Sequence, residues 1–368
     1  MKTLFVRRFA AVVAVVIAGI LSTAVPAQAR LGTGTVLLST SATLPPELEP
    51  LATGTRVTYV TTAIDGTPIP ATGLVLTPKT GKTDKTVVWA HGSTGLADQC
   101  APSSNMDVFW PEARAAIAKL LQKGWTVTAP DYPGLGTPQD HPYLMGMSEA
   151  RSIIDSVKAA RALDATLSTQ YVVDGHSQGG QGALFADELA PAYDGGLVLK
   201  GVASIAPVSN AQIFAPLVPG TPGNGYLVMG LYGLKAVDKT FNPNTVLAAP
   251  AKQKTSVLRT GCLYEILDAY ASLTAEQLLN GGALPQPVLD ELALYVDPAQ
   301  SAPSAPILLV QGTEDEAVPY GLTAGALLPE LQAYDQPVEF VQVDGADHDG
   351  AVFATVDTVA DWIAARFG

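Results

Sequence analysis

Tyr171-Val172-Val173-Asp174-Gly175-His176-Ser177-Gln178-Gly179-Gly180 is the stretch from which the rest of this chain can be read. Its first three residues form a short apolar run of strand-forming type. The run passes without a linker into Gly175-His176-Ser177-Gln178-Gly179, and Ala183 to Ala190 then reads as a helix. A G-x-S-x-G between a strand and a helix is a nucleophile elbow. The serine sits on a tight, strained turn, and the small flanking residues let strand and helix approach each other. Ser177 is therefore the candidate nucleophile. His176 shares that fixed turn and is expected to pack or hydrogen-bond beside the elbow.

A serine hydroxyl needs a base, and in this architecture the chain order is serine, acid, histidine. Only one histidine follows Ser177, namely His348, in the loop Gly345-Ala346-Asp347-His348. The acid is expected after the apolar run Ile307-Leu308-Leu309-Val310, where the chain reads Gln311-Gly312-Thr313-Glu314-Asp315-Glu316. Asp315 is the choice, with Glu314 and Glu316 as local competitors and Asp347 and Asp349 flanking the histidine. Its role would be to hold the imidazole tautomer and stabilise the imidazolium. A tetrahedral oxyanion also needs backbone N–H donors. One is expected from Gln178, first in its helix, where amides have no intrahelical acceptor. The other is expected from the loop after Trp89-Ala90, at Ser93, with Gly92 and Thr94 left open.

Working outward, Arg56–Val60 and Ala71–Leu76 read as two strands joined at Asp65-Gly66. Thr86–Ala90, Trp125–Ala129, Gly201–Ala206, Ile307–Val310 and Val338–Val343 are short apolar runs. Between them lie helical patterns: Pro111–Lys123, a segment from a Ser148 cap to Leu163, and a C-terminal stripe of Phe353, Val356, Val359, Ile363 and Phe367. Such alternation predicts an α/β fold with a mostly parallel central sheet buried on both faces. The alternation breaks once. Residues 209–303 are expected to be an inserted, mainly helical cap or lid, leaving 30–208 and 304–368 as the core. Within the insertion, Tyr226 to Leu234 is apolar and uncharged, which suits an acyl-chain wall. Met229 and Gly230, with Tyr132 from the core, are the candidate substrate contacts.

The chain has 368 residues, 48% of them hydrophobic and 15% charged, which excludes a disordered chain or a coiled coil. Its 21 Lys and Arg against 34 Asp and Glu give a formal net charge of −13. That acidity disfavours nucleic acid and anionic membrane surfaces as partners. Lys2, Arg7 and Arg8 precede an apolar stretch from Phe9 to Leu21, and Ala27-Gln28-Ala29 completes a signal-peptide pattern with cleavage expected after Ala29. The mature chain would be secreted. In an oxidising compartment the only two cysteines, Cys100 and Cys262, are expected to pair. With no C-x-x-C, no H-E-x-x-H and four scattered histidines, neither a metal site nor a cofactor is expected.

Three stretches together resemble the secretory lipase family of α/β-hydrolases. They are His91-Gly92-Ser93-Thr94-Gly95 followed by Cys100-Ala101-Pro102-Ser103, the loop Asp131-Tyr132-Pro133-Gly134-Leu135-Gly136, and Gly175-His176-Ser177-Gln178-Gly179-Gly180. The resemblance runs from about Pro50 to the C-terminus. It departs at Pro133, where the family often carries a charged residue. It implies an α/β-hydrolase fold with a cap inserted between the sixth and seventh strands, and an esterase or lipase using Ser177, Asp315 and His348. The expected partner is a small-molecule or lipid ester, with contact at a lipid–water interface. Acyl length, alcohol and oligomeric state are not specified. An acyltransferase or serine peptidase of the same fold would use an identical constellation. A catalytically inactive binding protein is the reading from another class.

Overall fold

A computed structural model describes residues 31–368 of the chain. The expected signal segment and its cleavage after Ala29 lie outside the described residues. The strands are β1 (Val36–Ala42), β2 (Ala52–Thr62), β3 (Pro68–Pro78), β4 (Thr86–Ala90), β5 (Thr126–Pro130), β6 (Gln170–His176), β7 (Val198–Ile205), β8 (Ile307–Gly312) and β9 (Val338–Val343). They form one sheet in the order β1-β2-β3-β5-β4-β6-β7-β8-β9. β1 to β3 and the β3–β5 pair are antiparallel, and every pair from β5 to β9 is parallel. This is the mostly parallel central sheet of the α/β-hydrolase fold.

The two faces of β4 show how the sheet is covered. Val87 and Trp89 point to one side, where they pack with Ile117 and Leu120 of α1 (Pro111–Gln122) and Ile363 of the C-terminal helix Gly350–Phe367. Val88 and Ala90 point to the other, against Ile153 and Ile154 of α2 (Gly146–Leu163) and Leu184 of α3 (Gln178–Tyr193). Strands buried on both faces need no polar alternation, which is why they read as continuous apolar runs.

Three sequence-based boundaries shift. β1 was not expected: it is an edge strand whose Leu37 and Leu38 are exposed, so burial leaves no pattern in it. α2 begins at Gly146, and Ser148 is not its cap but a buried residue of the first turn. In the C-terminal helix Phe353 is exposed, and the buried stripe is Val352, Thr355, Val359, Trp362 and Ile363. The helix is turned by about one residue step from the face that its largest apolar residues suggested.

Residues 206–306 contribute no strand to the sheet. Counting β1, this insertion follows the seventh strand of the described chain rather than the sixth. Its longer helices are Asn224–Val237, Leu263–Tyr270 and Gln286–Val296. They carry their own core, including Leu231, Leu234, Ile266, Tyr270 and Leu292, and the segment Tyr143-Leu144-Met145 inserts into it. Among the described residues, no helix is long and apolar enough to cross a membrane.

Candidate active site

β6 delivers Ser177 at its carboxyl end. The serine has φ +58° and ψ −118°, a strained conformation outside the ordinary helix and strand regions. Strain here is what lifts the hydroxyl off the strand axis. Two glycines make the turn feasible. A Cβ on Gly179 would collide with the carbonyl of Ala90, and one on Gly175 with the carbonyl of Gly179. The strand, the elbow and the first turn of α3 therefore lie at backbone contact with β4.

Register brings the remaining groups to the same edge. Ala90 of β4 pairs with Gly175 of β6, so the loop His91-Gly92-Ser93 emerges beside the elbow. A Cβ on Gly92 would lie 3.4 Å from Cβ of Ser177. β8 and β9 pair in parallel through Gly312 and Val343, and the loops after them carry Asp315 and His348. His348 Nδ1 meets Asp315 Oδ2 at 2.7 Å. Asp315 is buried and accepts three further hydrogen bonds, from the amides of Ala317 (2.9 Å) and Val318 (2.8 Å) and from Gln311 Nε2 (2.9 Å). Glu314, Glu316 and Asp347 are exposed, and Asp347 receives the Gly350 amide of the C-terminal helix. His176 Nε2 donates to the His348 carbonyl at 3.1 Å, steadying the loop from beneath.

The Ser93 side of the site is equally braced. Ser93 Oγ and Tyr143 Oη share a hydrogen bond of 2.6 Å, and Trp110 Nε1 donates to the Ser93 carbonyl at 3.0 Å. The Gln178 side chain is held by Glu149 Oε1, to which Nε2 donates at 2.7 Å. Burial pushes Glu149 up to about 8, so it is a neutral carboxylic acid at pH 7. Asp174, three residues before Ser177, is pushed up to about 8 by the same cause. Burial also pushes His91 and His176 down and takes His141 down to about 3, so none of the three carries charge at neutral pH. Sequence reasoning missed Tyr143, Glu149, Gln311 and Trp110. Tyr143 and Glu149 flank the misread start of α2, and no spacing rule ties either to the elbow.

Ser177 and Ser93 open onto a cavity of about 480 Å³. Its walls are mainly apolar, with Phe214, Leu217, Tyr226, Leu227 and Gly230 from the insertion and Val318 from the Asp315 loop. Gly230 stands at the wall with open space where a Cβ would go. Tyr132 and Met229 do not. Tyr132 is fully buried, stacks on His91 at 4.3 Å and donates to the His91 carbonyl at 2.9 Å, so it supports the loop instead of lining the cavity. Met229 is fully buried among the insertion's own core residues, because the helix Asn224–Val237 turns Tyr226 and Gly230 to the cavity and Met229 away.

The insertion is fastened to the segment that carries Ser93. Cys100 and Cys262 form a disulfide, with Cα atoms 5.5 Å apart. One residue on, the Leu263 amide donates to the Thr94 carbonyl at 2.8 Å.

The secretory lipase family profile matches residues 112–368, which is most of the chain. The chain belongs to the secretory lipase family. That membership places it among the carboxylic-ester hydrolases. It is 26% identical over 335 residues to the secreted triacylglycerol lipase LIP7 of Malassezia globosa, covering 85% of this chain and 70% of that protein. With LIP4 of the same organism, also a secreted triacylglycerol lipase, identity is 28% over 287 residues, covering 72% of this chain and 61% of the relative. Among solved structures, Candida antarctica lipase A in its closed state superposes with a TM-score of 0.76 at 20% identity, covering 91% of this chain and 82% of that one. The rice cell wall degrading esterase LipA from Xanthomonas oryzae gives 0.71 at 24% identity, covering 90% and 97%. These structural likenesses carry the fold.

Proposed function

We propose that this chain is a secreted serine carboxylic-ester hydrolase working through an acyl-enzyme. Ser177 attacks the ester carbonyl while His348 takes its proton, and Asp315 holds His348 through Nδ1. The amides of Gln178 and Ser93 receive the oxyanion. His348 then returns the proton to the departing alcohol, and water admitted to the site deacylates Ser177 by the same route reversed. The observation carrying this reading is the 2.7 Å contact of His348 Nδ1 with Asp315, made on the same sheet edge as a strained serine facing an apolar cavity. A cavity with few polar wall groups suits an uncharged acyl chain.

Residues 209–303 act as a cap that sets acyl preference and supplies no catalytic group. Leu217 is 65% exposed at the cavity wall and Ile213 nearby is 55% exposed, which suits approach to a lipid–water interface. Similarity to proteins named triacylglycerol lipases supports acylglycerols as a substrate class.

Fluorophosphonate labelling of the intact protein tests the nucleophile: Ser177→Ala should abolish labelling. Rates on p-nitrophenyl esters from acetate to palmitate, beside a triacylglycerol emulsion and an aminoacyl anilide, test the reaction class. Anilide cleavage with no ester hydrolysis would overturn it. Mass spectrometry of exported protein should find Arg30 at the N-terminus.

A further inference from the structure

Beside His348 three groups converge that the hydrolytic mechanism does not use. Glu112 lies in the first turn of α1, His176 in the elbow, and Asp349 next to His348. One ligand atom from each lies within 4.8 Å of the others. An acidic residue in a helix's first turn is ordinary. Its burial is not. Glu112 is only 4% exposed, yet its carboxyl has no ion-pair partner among the described residues and bonds only to its own backbone amide. His176 supplies a second, independent sign. Its Nε2–H is committed to the His348 carbonyl, which leaves the lone pair on Nδ1, and Nδ1 is buried without a partner. A histidine with one nitrogen pinned to a backbone carbonyl and the other bare is in the tautomer a metal ligand needs.

We propose that Glu112, His176 and Asp349 form a binding site for one divalent transition-metal ion, best matched by Zn²⁺, whose occupation inhibits the enzyme. One imidazole and two carboxylates, with a fourth position for water, is a donor set that Zn²⁺ accepts. Mg²⁺ prefers oxygen donors in an octahedron and is excluded by the nitrogen. The present spacing is loose: bonds of about 2.1 Å in a tetrahedron put donors about 3.4 Å apart, so the side chains must draw inward by roughly 1 Å. Asp349, half-buried, is the outer member and gives the ion its way in. Drawing Asp349 and His176 together acts on both sides of the His348 backbone, since one is its chain neighbour and the other holds its carbonyl. His348 then shifts relative to Asp315 and Ser177. The inhibition rests on the proposed hydrolase reading; the binding does not.

Titration calorimetry with Zn²⁺ in metal-free buffer, on the full exported protein, tests the site. We expect one site per chain, weakened at least tenfold by Glu112→Gln and by Asp349→Asn, with Mg²⁺ giving no heat. The ratio of ester hydrolysis with and without Zn²⁺ should follow the same affinities and recover on adding a chelator. If Glu112→Gln fails to fold, Asp349→Asn at the rim gives the same reading. Equal Zn²⁺ affinity in wild type and both variants would overturn the proposal, as would absence of binding. Mg²⁺ binding as tightly as Zn²⁺ would overturn it too. Zn²⁺ binding retained in a protein with no esterase activity would instead refute the hydrolase reading alone.

Discussion

His348 Nδ1 and Asp315 Oδ2 stand 2.7 Å apart, joined across the ends of two adjacent parallel strands. Three other donors fix that carboxylate, so it cannot rotate away from the imidazole without breaking several hydrogen bonds at once. Asp315 is in this sense a rigid stop against which the histidine is set.

If these groups act as a unit with Ser177, Ser177→Ala and His348→Ala should each lower turnover of a p-nitrophenyl ester by on the order of 10³-fold or more, and the double variant little further. Asp315→Asn should cost less but still orders of magnitude. Wild-type-like turnover in His348→Ala would sink the assignment.

Tyr143 is expected to hold Ser93 in place. Tyr143→Phe removes one buried hydrogen bond at Ser93, and kcat should fall roughly tenfold with KM little changed. Ser93→Ala should do about the same. The double variant should be no worse than either, because the two share one interaction. Losses that multiply would show that the hydroxyls act separately.

Gly230 has room for a side chain that would project into the apolar cavity. Gly230→Trp should therefore cut hydrolysis of long-chain esters while largely preserving acetate. Per methylene-scale change the discrimination is roughly 1–3 kcal/mol, so the profile shifts progressively with acyl length. Equal loss on acetate and palmitate, with circular dichroism unchanged, would remove Gly230 from the acyl wall.

Glu149 predicts a pH signature in stability. Its folded pKa of about 8 lies above the unfolded value near 4.5, so between those limits the folded state binds more protons than the unfolded one. This group's contribution must then fall as pH rises from 4.5 toward 8. Glu149→Gln keeps an acceptor for Gln178 and for the Leu144 amide while removing the titration. Melting temperature against pH should be flatter in the variant across that window. A slope equal to wild type would show that Glu149 does not titrate there.

The Cys100–Cys262 bridge spans 162 residues of sequence. Chain-entropy arguments put its contribution at about 5 kcal/mol as an upper figure. Cys100→Ala with Cys262→Ala should lower the denaturation midpoint substantially, and a thiol assay on denatured, unreduced protein should find none. Two free thiols in the exported wild type would refute pairing.

Much of this molecule is legible in its sequence. Val172 and Val173 followed by a G-x-S-x-G, the lone downstream histidine, and a carboxylate just past the Ile307–Val310 run follow from local rules: strand period, turn chemistry and chain order. The sheet was legible because strands buried on both faces cannot hide their apolar runs. β1 escaped notice since an exposed edge strand has no burial pattern to read. Tyr132 and Met229 misled for a related reason. Side-chain type does not reveal which way an element is turned, and both residues proved to face packed interiors.

Three relationships belong to the tertiary structure alone. Tyr143 reaches Ser93, Glu149 holds the side chain beside the elbow, and Glu112 meets His176 and Asp349, each across an interface between elements distant in the chain. Sequence specifies what each segment becomes, because propensity and periodicity act over a few residues. Which polar groups end up buried without partners depends on how whole layers dock, and docking is decided by the sum of many small packing contacts rather than by any one spacing.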